Sequence, residues 1–506
     1  MPAGLADKYA ATNGPNIFPY DDWSRAANDI QTAVDAAGAG ETVWISNGTY
    51  ILSSQITVSN SLKLSGFTNN GPAIIDGNHA VRCFNLTASS TGTLENLYIT
   101  RGSVVADNGG GVYMYKGTVR DCVFSNNNVS GYAHGGGMYC FAVTGVIQRC
   151  TFVGNTCGAF GGGLYLYQAS NTLVDDCVFK TNTAGNGGGL FLYYGSNITV
   201  TGCDLICNVA MTNGGGCWDY TDPNVNVLFT HCVIASNTAR DGYGGGIRLM
   251  GAVISNCWIT DNVASNNGGG IYTSATSPIR NCLIARNRTV AEVALNYGGG
   301  GIHSYYDAFI RDCVVEGNRS GYYGGGLYCR EGTVQNCLIL NNVADGANGG
   351  QGGGIRLGTA AVKLINCTIV SNYAALRGGG VNYLSYAATS VNCVLYYNDA
   401  GQAGTSNYYA TATGISLSNC CFAPALTAAY TNYSGNNIAN DPLFAGWTAG
   451  NYRLSGGSPC INAGVNQAWM LDGHDLDGHH RLDRFQKTVD MGCYEYVPRG
   501  AVVNIR

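Results

Sequence analysis

The sequence predicts an all-β fold, a right-handed parallel β-helix of about 14 coils with an N-terminal capping helix and an irregular C-terminal cap. Three observations predict it. A glycine triplet recurs about every 26 residues, an alternating apolar strand follows each triplet, and a Cys-x-apolar-x-x-Asn pattern follows each strand at a fixed offset.

The triplets begin at Gly109, Gly135, Gly161, Gly187, Gly214, Gly244, Gly268, Gly299, Gly324, Gly352 and Gly378. Self-similarity at such a period marks a solenoid whose units bury their faces against one another. The strands read Val112-Tyr113-Met114-Tyr115 or Leu164-Tyr165-Leu166-Tyr167, and period-two alternation sends one face inward and one outward. The segments are short, β-branched or aromatic and separated by Gly and Asn, which excludes helical repeats. A second strand ends in the pairs Cys122/Asn127, Cys150/Asn155, Cys177/Asn182 and so on to Cys393/Asn398. Stacked asparagines can bond the turns above and below. The cysteine column reads as buried free thiols, since parallel side chains point the same way rather than at each other. Cys420, Cys421, Cys460 and Cys493 lie outside that column and are the better disulfide candidates.

Composition agrees with a repeat protein. There are 74 glycines but 10 prolines among 506 residues, 11% are charged and 45% hydrophobic, so neither collagen nor a disordered chain fits. The net charge is −5 with no run of Lys or Arg, which argues against nucleic acid as a partner. No stretch reaches the roughly 20 apolar residues of a membrane span. No secretory signal is visible at Met1–Gly4, so secretion or display at the cell surface is inferred from the architecture. A monomer is expected.

The ends depart from the repeat. SRAANDIQTAVDAA at 24–37 reads as an amphipathic helix with Ile30, Ala33, Val34 and Ala37 on one face, plugging the open N-terminal end, and Thr42–Ile45 reads as a strand. Three domains are expected: 1–57 as the N-terminal segment and capping helix, 58–422 as the coils, and 423–506 as the closing module. Within the last, Asp472, Asp475, Asp477 and Gly478 resemble part of a calcium loop but match no complete EF-hand, so a structural turn is expected. No cofactor and no metal ligand set is assigned, although the chemistry leaves room for a structural or catalytic Ca2+.

The Gly-Gly-Gly-apolar strands, with Phe124-Ser125-Asn126-Asn127 and Phe152-Val153-Gly154-Asn155, resemble the GGxI and FxxN repeats of polymorphic outer-membrane-protein-type β-helices. Tyr-Ala-Ala-Thr-Asn-Gly at 9–14, Pro-Tyr-Asp-Asp-Trp at 19–23 and Ser-Asn-Gly-Thr-Tyr at 46–50 resemble the start of pectate-lyase-like secreted bacterial β-helix proteins, and the ending resembles their closing module. The resemblance implies the fold. Adhesins, surface proteins and polysaccharide lyases or hydrolases all carry such repeats, so activity must be argued from the site. No outer-membrane barrel follows the repeats, so self-translocation is not expected.

If the first residue after each triplet points inward, the second and fourth point outward. These columns supply Tyr113, Tyr115, Tyr139, Tyr165, Tyr167, Tyr193, Trp218, Tyr220, Arg248, Tyr272 and Tyr328 as an exposed track expected to bind polysaccharide. From Arg248 onward the columns turn cationic. The spacing from ladder cysteine to next triplet also lengthens, to 17 residues after Cys282 and 15 after Cys337, and such insertions build walls around a site. Arg, His and Tyr on a rigid sheet fit β-elimination on a uronate polymer: Arg330 or Arg356 would neutralise the carboxylate, and His303 or Tyr305 would act as base and acid, adjacent cations lowering a tyrosine pKa from about 10. A glycoside hydrolase needs two carboxylates roughly 5–9.5 Å apart, and the outward columns hold none, so a lyase is favoured. The alternative is a non-catalytic glycan-binding or adhesive β-helix.

Overall fold

The computed structural model describes residues 6–69, 71–142, 144–290, 298–346, 349–358, 361–384, 387–410, 415–423, 431–433, 435–482 and 487–498. Contacts divide the chain into two compact units, Met1–Ser265 and Asn266–Arg506. Both consist of coils of a right-handed parallel β-solenoid, about 14 turns in the chain, with the hand that parallel crossovers prefer.

A coil holds more strand than the repeat pattern suggests. In the first unit one coil comprises Val112–Met114, Thr118–Arg120, Val123–Ser125 and Asn128–Ser130. The sequence pattern resolves two strands because the strands are three residues long and separated by corners of only two or three residues. Asp121 and Asn126 make two of these corners in the left-handed region, at φ 52°, a conformation that Asn and Asp adopt more readily than other side chains.

Neighbouring coils pair in register, Val112 with Met138, Met138 with Leu164, and Leu164 with Leu190. In the second unit Ile302 pairs with Leu327, Leu327 with Ile355, and Ile355 with Val381. These residues are all buried, so each coil buries its apolar side chains on those of the next coil. Phe124, Phe152 and Phe179 stack inside the first unit at 4.5 and 4.9 Å between ring centres. The triplets permit the tight turn: Gly161 has φ +71°, and a Cβ on Gly162 would lie 2.4 Å from the carbonyl oxygen of Gly188 in the next coil.

The asparagines form buried amide ladders. In the first unit the Nδ2 of Asn127, Asn155, Asn182, Asn208 and Asn237 donates to the Oδ1 of the next ladder residue at 2.9–3.0 Å. The same Nδ2 also reaches back to a backbone carbonyl, as from Asn182 to Phe152 at 2.9 Å. In the second unit the ladder runs from Asn287 through Asn318, Asn342, Asn372 and Asn398 to Asn407, which lies only nine positions after Asn398 and ends the series outside the repeat spacing.

All 21 cysteines are free thiols, those of the ladder buried. Their Sγ atoms donate to nearby carbonyls, as Cys177 does to Asp175 at 3.2 Å, and burial pushes the Cys122 thiol up to about 12. The disulfide expectation for Cys420, Cys421, Cys460 and Cys493 is corrected here. Cys420 belongs to the ladder, its Sγ accepting the Cys393 N–H at 3.3 Å. The Cys421 thiol donates to the Asn440 carbonyl at 3.2 Å, and Cys421, Cys460 and Cys493 pack in one apolar cluster.

The helix spans Ile30–Ala36 rather than starting at Ser24. Asp29 stops it, sitting in an extended conformation and accepting from Thr32 N and Oγ1 at 2.8 and 2.6 Å. Ala27, counted in the sequence-predicted helix, instead bridges Ala10 as a strand partner. Ile30, Ala33 and Val34 are buried. In the second unit the closing module lies on the outer side of the coils, where Phe444, Tyr452, Leu454 and Met491 pack on Leu338, Leu340, Val370 and Val394. Arg481 fixes it through the Gly492 carbonyl at 3.0 Å, Glu495 at 2.7 Å and the Asn336 Oδ1.

Candidate functional site

In the first unit, the second residues after each triplet stack outside the solenoid. Tyr113, Tyr139, Tyr165 and Phe191 follow at 5.1–5.2 Å between ring centres, and Trp218 meets Phe191 edge-on at 5.2 Å. They point outward as the alternation requires, yet Tyr139 is only 5% and Tyr165 3% exposed, which corrects the expectation of an open track. Two residues that precede triplets cover them. The His134 ring stacks on Tyr165 at 4.9 Å, and Phe160 packs on Phe191 at 4.8 Å. Burial raises the Tyr139 and Tyr165 hydroxyl pKa values beyond the normal range.

The fourth residues form the accessible strip. Tyr115, Phe141, Tyr167, Tyr193 and Tyr220 are half-buried and succeed one another at 4.7–5.6 Å. Arginines bracket the inner stack, Arg82 at 5.5 Å from the Tyr113 ring and Arg248 at 4.6 Å from Trp218. The Trp218 Nε1 is buried without a hydrogen-bond acceptor among the described residues.

In the second unit the second-position column runs Tyr272, His303, Tyr328, Arg356 and Asn382 in register. His303 lies between Tyr272 and Tyr328, at 5.2 and 4.6 Å. It is 2% exposed, its Nδ1 lies 3.3 Å from the Gly298 carbonyl, and burial drives its pKa down to about 3. Tyr305 and Arg330 hold successive fourth positions. Tyr305 is 37% exposed and the Arg330 guanidinium sits 4.2 Å from its ring centre. Arg356 is buried against the Tyr323 ring. The insertion after Cys282 falls largely on residues 291–297, outside the described residues, as do 347–348 of the second insertion.

The Asp475 region forms a turn. One Asp475 oxygen accepts the N–H groups of Asp477 and His479 at 2.9 and 2.8 Å, the other that of Glu495 at 2.8 Å. Asp477 is gripped by Arg453 through two bonds of 2.5 Å. Ligand atoms of Asp475, Asp477 and His479 lie within 4.8 Å of one another, but hydrogen bonds and this ion pair account for both carboxylates.

Residues 73–232, 144–284 and 225–357 match, in overlapping stretches, the family described as right handed beta helix region, together more than half of the chain. The chain belongs to the right-handed β-helix family. No curated protein matches it significantly. Among solved structures it is similar to pectate lyase Pel9A, with 16% identity over 97% of both chains and a TM-score of 0.27. A rhamnogalacturonan lyase gives 12% identity over 96% of this chain and 99% of its own, at 0.24. Pectin methylesterase from Aspergillus niger gives 12% over 55% and 86%, at 0.26.

Sequence reasoning missed two features of this β-helix. The position before each triplet reads Asn108, His134, Phe160, Asn186, Asn213 and Tyr243 in one unit and Asn267, Gly298, Tyr323, Gln351 and Arg377 in the other; the rings of His134 and Phe160 there are the signal that something covers the second-position column of the first unit. The pairing of Ala308 with Gly332 also brings Asp307 and Glu331 to equivalent positions on adjacent coils, which triplet-based alignment does not reveal because the intervening segments differ in length.

His303 gives the β-helix a defined acid sensitivity. Its folded pKa of about 3 lies below the ordinary 6.5, so the unfolded chain takes up the proton first. The stability it contributes is present above pH 6.5 and is lost as pH falls toward 3, on the order of 5 kcal/mol in full. His303→Phe, which preserves the ring stack, is expected to flatten the pH dependence of the denaturation midpoint in that window. An unchanged slope would show that His303 is not the group responsible.

Proposed function

We propose that the protein acts on a polysaccharide outside the cell, holding sugar rings on the aromatic strip of its first unit and cleaving an anionic, uronate-containing chain by β-elimination at Tyr305 and Arg330 of its second. The observation that carries the lyase reading is the exposed Tyr305 hydroxyl-bearing ring with a guanidinium 4.2 Å away. The strip from Tyr115 to Tyr220 supports binding, because flat, half-exposed rings suit the C–H faces of sugars. Arg330 neutralises the uronate carboxylate. Once ionised, the Tyr305 oxygen takes the C5 proton and passes it to the leaving glycosidic oxygen as the C4–O bond breaks and the C4–C5 double bond forms, so one residue serves as base and acid. His303 is left as a stacking residue, since its ring is buried between two tyrosines.

Incubation with alginate, pectin, hyaluronan, chondroitin and ulvan tests this reading. A rise in the ultraviolet absorbance of an unsaturated uronate is expected with one of them. New reducing ends without that absorbance would instead favour hydrolysis, for which Asp307 and Glu331 are placed on adjacent coils about 4.8 Å apart along the backbone. Retention on affinity gels with no product at all would leave a glycan-binding β-helix.

A further inference from the structure

We propose that the first unit carries a second carbohydrate site, separate from the aromatic strip, that holds one uncharged sugar unit over Tyr98. A cavity of about 310 Å³ opens there, lined by Thr68, Pro72, Asn96, Tyr98, Asp121 and Val123. The strands beneath it belong to a different sheet from those that carry the strip.

The cavity exists because one corner of the solenoid is enlarged. Strand Lys63–Gly66 reaches Ala73–Asp76 through six residues, 67–72, whereas the same corner takes Asn96 alone on the next coil and Asp121 and Cys122 on the one after. The longer connection sets Thr68 and Pro72 as a wall beside the outward column of Ile74, Tyr98 and Val123, which pair in register on three coils. Walls of this kind are how a regular scaffold acquires a site.

The polar groups of the rim are accessible and unspent. Tyr98 and Asn96 are half-buried and Thr68 is exposed. Among the described residues the Tyr98 hydroxyl, the Asn96 amide and the Thr68 hydroxyl form no side-chain hydrogen bond, and Tyr98 stacks on no other ring, unlike the tyrosines of the strip. Asp121 is the one charged residue of the lining, and Arg149 occupies both of its oxygens at 2.7 Å. Each oxygen keeps a lone pair for a further donor.

An aromatic and aliphatic floor with hydroxyl, amide and carboxylate groups at its rim is the complement of a pyranose. The C–H face of the sugar rests on Tyr98, Pro72 and Val123, and its hydroxyls, each donor and acceptor, meet Thr68, Asn96, the Tyr98 hydroxyl and Asp121. The volume lies at the small end of ligand pockets and suits one ring. A uronate would bring its carboxylate against that of Asp121, and an aliphatic chain would leave the rim unanswered. The site therefore selects an uncharged sugar and does not depend on the uronate chemistry proposed above.

Saturation-transfer difference NMR on the full chain, with methyl glucoside, methyl galactoside, methyl mannoside and sodium glucuronate at equal ionic strength, tests the site. Signal on the ring protons of at least one neutral glycoside is expected, stronger than on glucuronate, with most of it lost in Tyr98→Ala and in Asn96→Gly. Glycine is chosen at 96 because Asn96 has φ 57°, which glycine adopts without strain. No signal with any neutral glycoside, a glucuronate signal as strong as theirs, or a signal that both variants leave unchanged would overturn the site. Signal lost in Tyr167→Ala but kept in Tyr98→Ala would put the sugar on the strip and overturn it too. Should Tyr98→Ala fail to fold, Tyr98→Phe and Asn96→Gly carry the comparison. Cleavage of a polyuronate, or its absence, bears on the proposed function alone.

Discussion

Replacing Asn182 with leucine is expected to lower stability by about 3–5 kcal/mol, a loss at the upper end for a single substitution. The side chain serves three coils at once. Its Oδ1 accepts the Asn155 backbone N–H at 3.0 Å and the Asn155 Nδ2 at 2.9 Å, while its Nδ2 donates to the Phe152 carbonyl at 2.9 Å and to Asn208 at 3.0 Å. Leucine is similar in volume, so the cost is not a cavity. It is the stranding of buried donors and acceptors on both neighbouring coils, where no water replaces the lost partner. The midpoint of guanidinium unfolding followed by circular dichroism reads the effect. Asn407→Leu, at the terminus of the ladder, should cost less because fewer coils depend on it. If the two changes cost the same, the ladder is not cooperative along its length.

The second large effect concerns turnover. Tyr305→Phe removes one oxygen and keeps the ring that Arg330 covers, so folding and polymer affinity should survive while eliminative turnover falls by about 10²–10⁴-fold, the range for loss of a positioned acid or base. Arg330→Gln is expected to fall comparably, with Arg330→Lys recovering part of the rate because it restores charge without the planar fork. Tyr306→Phe is the control: this ring meets Tyr305 edge-on at 4.9 Å and is more exposed. Rates of unsaturated uronate formation decide the matter. A Tyr305→Phe variant with an undiminished rate would remove Tyr305 from the proposed chemistry.

The regular coils could be read from the sequence because every position recurs with its environment. A triplet glycine meets the same carbonyl in each coil, and a ladder asparagine meets the same amide. Local alternation likewise predicts that Tyr165 points away from the interior. It does not predict that His134, 31 positions earlier, lies across it, because exposure outside the solenoid depends on a neighbouring coil. The same limit applies to His303, whose catalytic reading assumed a free surface that the flanking Tyr272 and Tyr328 occupy. Cys420 escaped the ladder pattern because no asparagine stands five positions after it; Asn437 continues the cysteine column in the place of a further cysteine, donating from Nδ2 to the Leu417 carbonyl and accepting the Cys420 N–H, each at 2.9 Å. The helix start was misread because apolar periodicity alone cannot weigh Asp29 as a cap against Ala26 and Ala27 as helix formers.

In-register pairing also makes the coils of the first unit interchangeable modules. Met138 pairs with Leu164 and Leu164 with Leu190, and the asparagine of each coil offers the same acceptor to the coil before it. Excising residues 164–189 would therefore bring Met138 onto Leu190 and Asn155 onto Asn208 with every column still in phase. Repeat number thus works as a ruler, each added or deleted coil lengthening or shortening the aromatic strip by about 4.8 Å, close to the advance of one sugar ring. Under the proposed polysaccharide-binding role, chain-length preference would evolve by duplication of whole repeats while the residues of each coil stay the same.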